Sequence, residues 1–66
     1  MHFSIEYEIE DDGRWIAEIP EIPGALAYGE SKEEARASVE ALALRVIADR
    51  IEDERVGTDR ITFATA

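Results

Sequence analysis

Residues 17–35 read Ala-Glu-Ile-Pro-Glu-Ile-Pro-Gly-Ala-Leu-Ala-Tyr-Gly-Glu-Ser-Lys-Glu-Glu-Ala, and they set a series of structural devices in one fixed order. The alternation Ala17-Glu18-Ile19 is the end of a strand, and Pro20 and Pro23 stop its ladder because neither has an amide hydrogen to donate. Pro23-Gly24 is a turn signal. Residues 25–28 are long enough for one short strand, which Gly29 breaks. Ser31 then stands as a helix N-cap with Glu34 three residues on, the spacing of a capping box. Glu33 and Glu34 also fall where the positive end of a helix dipole favours carboxylates. Strand, turn, strand and helix must therefore follow one another with almost no connecting chain.

The flanks extend this order. In residues 3–9, Phe3, Ile5, Tyr7 and Ile9 alternate with Ser4, Glu6 and Glu8, the period-two pattern of a half-buried strand. Asp11-Asp12-Gly13 is a turn, and residues 14–19 alternate again around Trp15, Ala17 and Ile19, so the two runs predict a β-hairpin. From Lys32 to about Ile51 there is no glycine or proline, and Ala35, Val39, Leu42 and Val46 form a stripe suited to covering the sheet. Residues 52–59 are charged with a break at Gly57, and residues 60–64 alternate weakly around Ile61 and Phe63, which predicts a last strand. The expected fold is α/β in the α+β sense. It has the order β-β-β-α-β, a small antiparallel sheet of three or four strands and one main helix on it, in a single domain over residues 1–66.

Size adds a further expectation. A chain of 66 residues buries only about 60% of the surface its unfolded form exposes, and without cysteine it has neither disulfides nor thiolate metal sites to staple it. Leu44, Ile47 and Ile51 sit apart from the expected core stripe; they are candidates for an oligomer contact in a homodimer or homotetramer, the alternative for part of the group being closure over a sheet edge.

Sixteen acidic residues against seven basic ones give a net charge of −9. Phosphate binding requires Lys and Arg to displace counterions, so direct nucleic-acid binding is not expected. Opposite fields steer encounter, so a basic protein is the better partner; the alternative is that acidity only keeps a small protein in solution. No apolar run approaches the ~18 residues of a membrane helix, and no secretory signal is visible, so a cytoplasmic location without membrane contact is expected. The residues offer no catalytic, cofactor or metal site. Glu6, Glu8 and Glu18 share the outer face of the hairpin, but alternation makes that face solvated rather than a two-metal centre. Asp11-Asp12-Gly13 lacks the ligand spacing of a calcium loop, and His2 has no nucleophile or second histidine at a useful spacing. A non-enzymatic binding module follows, with Glu6, Glu8, Glu18, Glu21 and Tyr28 as its partner-binding candidates. Trp15 is expected in the core; Tyr28 suits either the core or an interface.

Tyr7, the Asp-Asp-Gly turn, Trp15-Ile16-Ala17-Glu18-Ile19-Pro20, Ile22-Pro23-Gly24, Tyr28-Gly29 and Ser31-x-x-Glu34-Ala35 together resemble the HicB-like antitoxin domain, over roughly residues 5–50. Trp15, Pro20, Pro23, Gly24, Gly29, Ser31 and Glu34 are the motif positions of that resemblance. It implies a partial ribonuclease H-like fold and a role in neutralising a basic HicA-like toxin, an mRNA-cleaving ribonuclease, by covering its active surface. Two departures stand out. Ala25 occupies a position where the family often has cysteine. Only fifteen residues follow Ile51, so the DNA-binding domain that many members carry, and operator binding with it, are not expected. A stand-alone oligomeric structural or regulatory domain without a toxin partner is the other reading.

Overall fold

The computed structural model describes residues 1–66. Strand β1, His2–Ile9, follows its alternation as far as Tyr7: Phe3 and Ile5 are buried and Tyr7 is half-buried, while Glu6 and Glu8 are exposed on the other face, but Ile9, expected beside Tyr7, is 60% exposed at the strand end. The Asp11-Asp12-Gly13 segment reverses the chain, and the Asp12 carboxylate accepts from the Arg14 amide at 3.0 Å and from Arg14 Nε at 2.9 Å. Strand β2, Trp15–Glu18, pairs antiparallel with β1 and sets Glu6 opposite Glu18 and Glu8 opposite Ile16.

Two tandem turns follow. The Ile22 amide donates to the Ile19 carbonyl and the Ala25 amide to the Ile22 carbonyl, each at 3.0 Å. Pro20 and Pro23 hold the second position of each turn, where their fixed φ fits, and Gly24 takes φ 84 at the third position of the second. Ile19, Ile22 and Ala25 are thereby all turned into the core, at 2% exposure or less. Strand β3, Leu26–Gly29, then pairs antiparallel with β2. Gly29 does more than break the strand. A Cβ there would stand 2.9 Å from Ala35 Cα and closer still to the Ala35 amide nitrogen, so the end of β3 and the first helical turn touch backbone to backbone.

Helix α1, Lys32–Glu54, starts at Ser31, whose Oγ accepts from the Glu34 amide at 3.1 Å. The Glu34 carboxylate makes no return bond to the Ser31 amide, so half of the capping box forms. The buried line of the helix is Ala35, Val39, Ala43 and Ile47, with Leu42 and Val46 half-buried beside it. The core stripe is thus centred further round than the sequence pattern suggested. Ala17, Ala25, Ala35 and Ala43 are all 2% exposed or less. Such small residues let helix and sheet approach closely, and this brings Ala43 rather than Leu42 to the centre. The helix stops at Arg55, which adopts φ 56 and donates its amide to the Ile51 carbonyl at 2.8 Å, two residues before the expected break at Gly57.

Strand β4, Thr62–Thr65, corrects one expectation: it pairs parallel with β1, so the sheet is mixed, in the order β3-β2-β1-β4. The reason is topological. Three strands alternate in direction and the helix runs back across them, so the next strand runs the way β1 runs and takes its free edge. Parallel neighbours need a long crossover, which the intervening elements supply. Phe63 stacks on Phe3 with ring centroids 5.7 Å apart. Thr62 donates its amide to the Met1 carbonyl and Ala66 to the Ile5 carbonyl, so alternation turns the Phe63 carbonyl to the outer edge. There Arg36 of the helix donates Nη2 to the Phe63 carbonyl and Nη1 to Thr65 Oγ1, each at 3.2 Å, while its Nε holds Glu40 at 2.6 Å. One guanidinium both fastens β4 and blunts its edge. The hydrogen bond to Glu40 chiefly raises the Arg36 pKa above its ordinary value.

Candidate functional site

The helix covers one face of the sheet, and the other face is open. Strand register fixes what stands there. One cross-strand row runs Glu6, Glu18, Leu26 and the next runs Glu8, Ile16, Tyr28. Leu26 is 40% exposed, Tyr28 is 47% exposed and Ile16 is half-buried. Glu6, Glu8, Ile16, Glu18 and Leu26 line a shallow depression. The guanidinium of Arg14 lies over the Tyr28 ring at 4.8 Å from its centroid. The chain has two ion pairs, Arg14–Asp12 and Arg36–Glu40, so Glu6, Glu8 and Glu18 have no cationic partner within it.

Of the partner-binding candidates, Glu6, Glu8, Glu18 and Tyr28 share this face, and Tyr28 lies outside the core. Glu21 is engaged differently. Its carboxylate accepts from the Ser4 amide at 3.2 Å and from Ser4 Oγ at 2.5 Å. Strand β2 meets β1 only from Glu6 onward, so the Ser4 amide lacks a strand partner on that side, and Glu21 serves as one. The Ser4 hydroxyl holds the Glu21 carboxyl below its ordinary range. The Arg14 amide, with its guanidinium in support, does the same for Asp12.

Trp15 is half-buried and meets the Tyr7 ring edge-on at 6.4 Å, and Lys32 Nζ sits 4.7 Å from the centroid of the same Tyr7 ring. These three lie on the helix side. Of the oligomer candidates, Ile47 is a core residue at 1% exposure and is not available to a second subunit as the chain stands. Ile51 is half-buried against the core, and Leu44 points outward at 44% exposure. The sequence group was too wide because Ile47 continues the every-fourth-residue line from Ala35. Ile16 and Leu26 were missed as members of the open face. The period-two alternation that placed Glu6 and Glu18 on it also places them there.

A UPF0150 protein of Synechocystis sp. is 42% identical to this chain over 50 residues, covering 76% of this chain and 69% of its own length. The chain belongs to the UPF0150 family. UPF0150 is the HicB-like family, so the resemblance carried by the strand, turn and helix-start motifs holds at that level. No family model matches the chain, and no solved structure matches it. No helix is long and apolar enough to cross a membrane.

Proposed function

We propose that this UPF0150 chain is a non-catalytic, antitoxin-type docking module that binds a basic HicA-like ribonuclease and covers its active surface. The observation that carries the reading is the open face. Three carboxylates without partners stand beside exposed apolar side chains on the open sheet face, within a family that is HicB-like. A surface built to hold RNA phosphates is cationic, so a carboxylate-bearing face competes for the same groups. Charge of this kind adds on-rate and selectivity, while apolar contact around Leu26 and Tyr28 adds affinity. Co-expression with a HicA-like ribonuclease tests the reading. Restored growth and a co-purifying complex are expected, and unrelieved toxicity with no complex contradicts it.

A second reading, a self-associating structural or regulatory domain, is favoured by Leu44, which stands exposed between Ala41 and Ala48 on the outer helix face. Sedimentation of the wild type and of Leu44→Glu separates the two. A dimer or tetramer broken by the substitution supports self-association, and a monomeric wild type ends it.

A further inference from the structure

We infer that the depression between β1, β2 and β3 is a receptor slot for one arginine side chain of a basic protein partner. This rests on the docking reading above and names the group that the docking face selects. Two features argue for it, beginning with the register. Glu6 and Glu18 are directly opposite on neighbouring antiparallel strands, with Glu8 one row away, and no cation of the chain neutralises them. Like charges facing across strands cost fold stability. Arg14 reaches the same face, yet it is held over the Tyr28 ring and paired with Asp12. The slot's own charge is left for an incoming group.

The second feature is the floor. Ile16 and Leu26 give the depression an apolar part beside the carboxylates, on which the methylene stem of a long cationic side chain can lie. A guanidinium is planar, weakly hydrated and able to bond two carboxylate oxygens at once, whereas an ammonium is compact and strongly hydrated. This same face already holds one guanidinium over an apolar side chain, that of Arg14 over the Tyr28 ring. An arginine is therefore selected over a lysine.

The test titrates octa-arginine and octa-lysine peptides into the full chain and follows its amide resonances. Octa-arginine is expected to shift Ile16, Glu18 and Leu26 and to bind about threefold or more tightly than octa-lysine. Glu18→Gln should weaken octa-arginine by about threefold while melting at or above the wild-type temperature, because it removes a like-charge pair. Glu52→Gln, which removes the same charge from the helix end, should change binding by less than about twofold. Leu26→Ser, which changes no charge at an exposed position, should erase the arginine preference. Shifts centred on residues 49–54 overturn the slot, as do equal losses from Glu18→Gln and Glu52→Gln, equal binding of the two peptides, or a lower melting temperature for Glu18→Gln. Growth rescue by the wild type tests the docking reading separately, so a failed slot and a failed docking module give different results.

Discussion

At the scale of single residues, two positions fix geometry that neither composition nor pattern reveals. Gly29 is required by distance: a methyl group at that position would meet the backbone of Ala35. Gly29→Ala should push the helix start off β3 and cost about 1–3 kcal/mol, the range for overpacking a tight site, read as a lower midpoint in urea. Glu21 is required by an otherwise unpaired amide. Its pKa lies below the ordinary value in the folded chain, with the Ser4 hydroxyl as the chief cause. A carboxylate depressed on folding contributes stability that is complete above its unfolded value and lost as pH falls through its folded value. Wild type should therefore melt above Glu21→Gln at pH 7, and the gap should close as the pH falls below the ordinary carboxylate range. A gap that persists at pH 2 would mean that the Ser4 link does not depend on the ionised carboxylate.

At the scale of elements, the order of elements along the chain, the hairpin, the turn and the helix start were legible because each rests on local chemistry. Alternation, two prolines, Gly24 and Ser31 all act within a few residues of themselves. What was not legible depends on the third dimension. The parallel pairing of β4 follows from counting chain reversals rather than from its own residues, and Ile61 and Phe63 would alternate alike in either direction. The burial of Ile47 follows from how near the alanine-lined helix approaches the sheet. Arg36 is the clasp of the β4 edge, a contact to Phe63 far along the chain that no local pattern encodes. The face carrying Glu6, Glu8 and Glu18 was legible from period two, but its apolar half was overlooked. The helix was read to about Ile51, whereas it runs to Glu54 and stops at Arg55, which takes the left-handed conformation that glycine adopts most easily. Arg55→Gly should accordingly raise stability by about 0.5–1 kcal/mol, the left-handed cost removed less the added freedom of the unfolded chain. A lower melting temperature would contradict that account of the helix stop.

At the scale of the whole molecule, one helix spans most of a 42 Å long axis and closes one side of a four-stranded sheet. The open side gathers carboxylates. A net charge of −9 makes the fold repel itself, so added salt from about 20 to 500 mM should raise its melting temperature by screening. The same salt should weaken its hold on a basic partner, and the opposite signs of these two effects separate stability from recognition. The deciding measurement is a resonance map of the chain as a HicA-like ribonuclease is added. The account predicts shifts gathered on Glu6, Glu8, Ile16, Glu18, Leu26 and Tyr28, fading as salt rises. Shifts confined to the outer helix face around Leu44, with the open sheet face unchanged, would contradict it.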